Sequence, residues 1–130
     1  MLTLPLRLAP GQDLRAALQQ AVAGHPGGSA FVLAGIGSLS AAALRLAGAA
    51  TASTYRGDIE ILTLSGTLTP DGPHLHMSIA DASGQVVGGH VGAGCIVRTT
   101  AEVLLALLPE HRLGREIDPV SGYAELVVRT

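Results

Sequence analysis

The stretch His74-Leu75-His76-Met77-Ser78-Ile79-Ala80-Asp81-Ala82-Ser83-Gly84-Gln85-Val86-Val87-Gly88-Gly89-His90 decides how the chain is read. Apolar Leu75, Met77 and Ile79 alternate with His74, His76 and Ser78, which is the period of a half-buried strand. A second extended run, Val86 to Val97, follows the turn signal Ser83-Gly84. An antiparallel hairpin is expected. His74 and His76 then share one face while Leu75 and Met77 point to the other. His90 depends on the loop. With a three-residue loop Ala82-Ser83-Gly84 and Gly84 in the left-handed region, Asp81 faces Gln85 and His76 faces His90. A two-residue loop at Ser83-Gly84 would slip the register by one and send His90 to the reverse face, and a bulge at Gly88-Gly89 would also change the count.

Similar runs flank the hairpin. Leu2, Leu4, Leu6 and Leu8 alternate with Thr3, Pro5, Arg7 and Ala9, a strand that Pro5 places at an edge. Leu14, Ala17, Leu18, Ala21 and Val22 recur at helical spacing, with Asp13 as N-cap and Gly24 as stop. His25-Pro26-Gly27-Gly28 reads as loop. Ala30 to Gly35 reads as a buried strand broken at Gly35-Ile36-Gly37-Ser38, with a short helical turn capped at Ser38 and a further strand over Ala43 to Ala47. Further strands are expected at Ile59 to Leu68, Val103 to Leu108 and Tyr123 to Val128, and Pro70-Asp71-Gly72 is a turn. Residues 101–108 suit helix or strand equally by composition. The fold class is α+β: a largely antiparallel β-sheet flanked by one main helix and short helical turns.

The chain has 130 residues, a length that one domain over 1–130 accounts for. Hydrophobic residues make up 48% and charged residues 14%, where about 25% charged is ordinary. Too little charge is present to coat the surface, so an apolar face covered by another copy is expected. The net charge of −2, with eight basic residues against ten acidic ones, argues against a broad footprint on nucleic acid or an anionic membrane. Cys95 is the lone cysteine, which fits a reducing compartment. The start lacks a secretion signal, and Ala30 to Leu44 is too short and too interrupted to span a bilayer. A cytoplasmic location is expected.

Several phrases, in order, resemble the plants-and-prokaryotes conserved (PPC) domain. They are Gly35-Ile36-Gly37-Ser38-Leu39 with Leu44-Arg45, Gly57-Asp58-Ile59-Glu60-Ile61-Leu62 with Leu64-Ser65-Gly66, and His74-Leu75-His76. Asp81 to Gly84, Gly88-Gly89-His90, Thr99 to Val103 and Arg115-Glu116-Ile117-Asp118-Pro119 with Gly122-Tyr123 follow. The resemblance implies an α+β unit that assembles as a homotrimer, tips residues 101–108 toward strand, and implies metal at the corresponding histidines of some prokaryotic members. Plant members grip DNA through separate AT-hook segments, and bare prokaryotic members carry a DNA-binding label by association. No Arg-Gly-Arg-Pro hook occurs here, so direct DNA binding is not expected.

Three converging imidazoles would suit Zn²⁺ or another divalent metal, because neutral ring nitrogens match borderline metals and three ligands leave a position open. His74, His76 and His90 are therefore the candidate ligands; the competing reading is a solvated sheet face or a subunit contact. Glu102 is a weak candidate for a proton acceptor beside them, against the plainer reading of a solvated edge strand. Arg45 and Arg56 read as ordinary surface ion-pairing residues, with Glu60 or a ligand as partner in the sharper reading, and a contact across a subunit boundary is the alternative for Glu116. Arg115, Glu116, Asp118 and Tyr123 read as structural residues around the Pro119–Gly122 turn. Cys95 reads as buried and inert. Gly35-Ile36-Gly37-Ser38 lacks a dinucleotide or P-loop signature. Three function classes follow: a self-associating interaction module with a metal site, partnered by itself, other proteins or a small ligand; a metal-dependent enzyme acting on a small molecule between subunits; and, last, a DNA-associated protein as the family label has it.

Overall fold

The computed structural model describes residues 1–130. Strand β1 (Leu2–Leu8) leads into helix α1 (Leu14–Ala23) and a single 3-10 turn at Pro26–Gly28. Five strands follow, β2 (Ala30–Arg45), β3 (Ser53–Thr69), β4 (Gly72–Ala80), β5 (Val86–Val91) and β6 (Ile96–Leu107), before a separate hairpin of β7 (Arg112–Ile117), which pairs with β8 (Ala124–Arg129). The main sheet runs β1-β6-β2-β3-β4-β5, every pairing antiparallel. The α+β class holds, β1 is the edge that Pro5 implied, and residues 101–107 are strand.

Strand β2 changes neighbours along its length. From Ala30 to Ala41 it pairs with β6; at Leu44 and Arg45 it pairs with Val91 and His90 of β5. The sheet therefore curls until β2, β3, β4 and β5 close on themselves. Helix α1 covers the apolar face with Leu14, Leu18 and Val22, all buried. The core they enter is aliphatic: Leu39, Leu44, Leu68, Leu75, Ile79, Val97 and Leu105 among 23 clustered residues. Asp13 fixes the helix start as expected. One carboxylate oxygen accepts from the Ala16 amide at 3.0 Å, and the other accepts from the Gly94 amide at 2.7 Å, tying the cap to the β5–β6 connection.

Three local expectations need correction. Gly35 to Ser38 does not break the chain, no helical turn starts at Ser38, and no separate strand covers Ala43 to Ala47; one strand of 16 residues runs through, with register shifts at Val32/Ala34, Gly37/Leu39 and Leu39/Ala41. Gly37 serves close approach rather than turning: a Cβ there would lie 2.7 Å from Ala101 Cα and from the Thr100 oxygen. Ser38 Oγ accepts from the Thr99 amide across the sheet instead of capping a helix. Val86 to Val97 is two strands, split by the turn that carries Cys95. Strand β7 carries no strand signal in the sequence, because Arg112-Leu113-Gly114-Arg115-Glu116-Ile117 lacks clean alternation.

Gly66 sets the distance between β3 and β4 just where His74 stands. It lies opposite Leu75 with φ +137°, and a Cβ would collide with the His74 carbonyl oxygen and come within 2.8 Å of Leu75 Cα. Gly66→Ala is expected to cost on the order of 2–3 kcal/mol in urea unfolding, combining backbone strain with a forced strand separation. A loss below about 0.5 kcal/mol would contradict this packing.

Candidate metal centre

The β4–β5 turn resolves the register in favour of the three-residue loop. The Asp81 amide donates to Gln85 O at 3.0 Å, the Gly84 amide donates to Asp81 O at 2.9 Å, and Gly84 has φ +83°. Asp81 Oδ1 accepts from the Ser83 amide at 2.9 Å, the Ser83 hydroxyl at 2.6 Å and the Gln85 amide at 3.0 Å. These bonds hold the carboxyl of Asp81 below its ordinary range, the Ser83 hydroxyl contributing most. Counting back from this turn, Val87 faces Ile79, Gly89 faces Met77 and His90 faces His76, with no bulge at Gly88-Gly89.

The three imidazoles meet on one face. His76 Nε2 lies 3.2 Å from His74 Nε2 and 3.1 Å from His90 Nδ1, and one potential ligand atom from each ring lies within 4.8 Å of the others. His74 and His90 stack at 15° with centroids 5.5 Å apart, while His76 stands edge-on to both. Metal–nitrogen bonds of 2.0–2.1 Å in a tetrahedral site place ligand nitrogens about 3.3 Å apart, so the spacing around His76 matches a shared ion. One ring N–H cannot serve two neighbours at once, whereas a cation shared by the three ring nitrogens would satisfy them together. Burial first, then the Arg115 guanidinium and the other two rings, holds His74 below the ordinary histidine value against a smaller opposing pull from Glu125. Burial, His76 and Arg45 do the same for His90. Both shifts favour the neutral form that metals bind.

A cleft of about 700 Å³ opens beside the rings. Its walls include Arg15 of α1, Arg45 at the end of β2, and Arg115, Tyr123 and Glu125 of the β7–β8 hairpin. The hairpin is docked by Asp71, whose Oδ2 accepts from the Arg115 amide at 2.8 Å, and by the Arg115 guanidinium, which donates to Thr67 Oγ1 at 2.6 Å. Arg115 and Tyr123, read from the sequence as purely structural, therefore also face the site. The His-X-His spacing, the hairpin register and the family resemblance all point to this region from the sequence; nothing local links Arg15 or Arg115 to it.

Other candidates lie elsewhere. Glu102 sits on β6 between β1 and β2, opposite Arg7 and Ile36, so its strand is not an edge. It lines depressions shared with Ile36 and has no place among the imidazoles. Glu116 pairs with Arg129 of its own hairpin, and Asp58 with Arg98 at 3.0 Å. Arg45 donates to the Ala49 carbonyl rather than pairing with Glu60. Cys95 is fully buried, and that burial pushes its thiol pKa up, as an inert residue requires.

A family model described as the Plants and Prokaryotes Conserved (PCC) domain matches residues 1–109. The chain belongs to this family. Among solved structures, a hypothetical protein of Salmonella cholerae-suis is 36% identical, covering 99% of this chain and 94% of its own, with a TM-score of 0.95. A metal-containing protein of Archaeoglobus fulgidus shares the fold at 23% identity and a TM-score of 0.78, covering 98% of this chain and 94% of its own. A Synechococcus protein named bifunctional protein GlmU is 50% identical over 125 residues, 96% of this chain. The chain spans about a fifth of the length of that relative. No helix is long and apolar enough to cross a membrane.

Since the Asp81 carboxylate holds the turn that aligns the rings, Asp81→Ala should lower the urea midpoint at neutral pH and speed exchange of the Ser83 and Gln85 amides. Its folded pKa is depressed, so the contribution is complete above the unfolded value of 3.8 and disappears as pH falls through the folded value. Wild type and variant should converge once pH has fallen below the folded value. A difference that persists unchanged into acid would show that the carboxylate's charge is not what holds the turn.

Proposed function

We propose that this PCC domain is a self-associating module that holds one divalent ion of the zinc class on His74, His76 and His90. The convergence of three ring nitrogens around His76, at 3.1 and 3.2 Å, carries the reading. All three donors are imidazoles, a set that favours zinc-like ions over calcium or magnesium, which prefer oxygen. The metal-containing relative from Archaeoglobus fulgidus supports the same assignment. A unit that amounts to a fifth of a larger Synechococcus protein supports the description as a module.

Self-association is supported by the sheet face turned away from α1. Phe31, Leu33 and Ile36 on β2 are 40%, 47% and 55% exposed, and Leu62 on β3 and Leu104 on β6 stand beside them. Apolar residues grouped across adjacent strands in a charge-poor chain call for a cover. A second copy supplies one, and the family resemblance puts the number of copies at three. The enzyme alternative loses Glu102 as proton acceptor, which leaves the binding module as the stronger reading. Direct DNA binding remains disfavoured by the net charge of −2.

Elemental analysis of untagged protein should find one zinc-class ion per chain, and His76→Ala should weaken zinc affinity by about 100-fold or more, since the central ligand of three is removed. Absence of metal after zinc loading would end the assignment. Light scattering should give about 39 kDa, three copies of 13.1 kDa, and Leu33→Glu should shift the particle toward one copy. A single-copy particle in wild type would refute the assembly.

A further inference from the structure

The cleft beside the imidazoles gathers three guanidiniums from three separate elements: Arg15 of α1, Arg45 of β2 and Arg115 of β7. The whole chain has eight basic residues and a net charge of −2, so this local surplus runs against its overall balance. None of the three has a carboxylate partner; the ion pairs are Arg98 with Asp58 and Arg129 with Glu116. Arg45 donates to the Ala49 carbonyl at 3.3 Å and Arg115 to the Thr67 hydroxyl at 2.6 Å, bonds that orient the side chains and neutralise nothing. The two acids on the cleft wall are already engaged. Asp71 Oδ2 accepts from the Arg115 amide at 2.8 Å, and Glu125 Oε1 accepts from the Ser121 hydroxyl at 2.9 Å.

We infer that this cleft binds a small molecule through an oxyanion group, a phosphate or a carboxylate, held between Arg15, Arg45 and Arg115. Guanidinium forks match both groups with paired, charge-assisted hydrogen bonds, and like charges brought together in a concave site are stabilised by an anion that sits among them. The volume of about 700 Å³ lies in the range of small-molecule sites and is too small for a duplex or a folded partner. His74 and His90 line the same cleft, so a ligand clamped by its oxyanion presents its other end to the ion. That last placement rests on the metal reading above; the oxyanion clamp does not. Tyr123, on the exposed hairpin, stands at the rim of the same cleft.

Calorimetric titration of the full chain, zinc-loaded and chelator-treated in parallel, tests the clamp with inorganic phosphate and malonate as probes and glycerol as the uncharged control. Saturable binding of at least one oxyanion and none of glycerol is expected, and the tighter of the two identifies the group preferred. Arg15→Gln and Arg45→Gln should each weaken that binding by about tenfold while circular dichroism stays unchanged, and Arg15→Gln, which touches none of the imidazoles, should leave zinc content unchanged as well. Binding that survives both substitutions undiminished, or no saturable uptake of either oxyanion by the folded protein, overturns the inference. Should zinc fail to bind while arginine-dependent oxyanion binding persists in the chelator-treated chain, the metal assignment falls and the clamp stands.

Discussion

One carboxylate oxygen governs the site. Asp81 Oδ1 gathers two amides and a hydroxyl, and in doing so it commits the β4–β5 connection to three residues instead of two. Strand side chains alternate with a period of two, so that single residue decides whether His90 joins His74 and His76 or turns away. The apolar pattern enforces the same outcome independently. With the imidazoles outside, Leu75, Met77, Ile79 and Val91 all reach the interior; one step of slippage would expose β5's buried valine and press His90 into an aliphatic core. The geometry that suits an ion is thus a by-product of the hairpin's own most stable register. A ligand set built this way needs no ion to be assembled, which lowers the ordering cost of binding one.

Scarcity of charge shapes the rest of the surface. With 14% charged residues, the chain cannot coat both faces of a wide sheet. Helix α1 covers one, and the other keeps Phe31, Leu33 and Ile36 in view. At the opposite extreme, three of the few basic residues stand around one cleft. The two regions are chemically distinct: an apolar face suits a copy of the chain itself, while a cationic hollow with ring nitrogens suits a small, charged guest.

Features visible in the sequence were those encoded locally. The helix declared itself through Leu14, Leu18 and Val22 with Asp13 ahead of them, and the hairpin through alternation on both sides of Ser83-Gly84. Strand β2 hid because glycine has two uses that look alike in one dimension. Gly35 and Gly37 look like a turn in the sequence, yet Gly37 permits β6 to come so close that no Cβ would fit. Short-range pattern cannot separate turning from close approach; only the neighbouring strand distinguishes them. Glu102 misled for a related reason. An acid among apolar residues on an outer strand reads as exposed or catalytic, and its placement depended on β6 inserting between β1 and β2, a long-range pairing.

The cleft's arginines show the same limit in sharper form, and they also divide the labour of the site. The ring nitrogens come from β4 and β5, inside the stretch matched by the family model, whereas Arg115 and Tyr123 come from the β7–β8 hairpin beyond residue 109. That hairpin is a separate two-stranded sheet, anchored at the site by Asp71 and Thr67 rather than by pairing with the main sheet. Its residues can therefore change without disturbing the register that aligns the imidazoles. The proposed ion site draws only on the core of the fold, while the proposed oxyanion clamp combines Arg15 and Arg45 of that core with Arg115 from an attachment at its rim. Of the two, the clamp is the one that a change confined to the hairpin can alter, so shared fold membership does not by itself carry it between relatives.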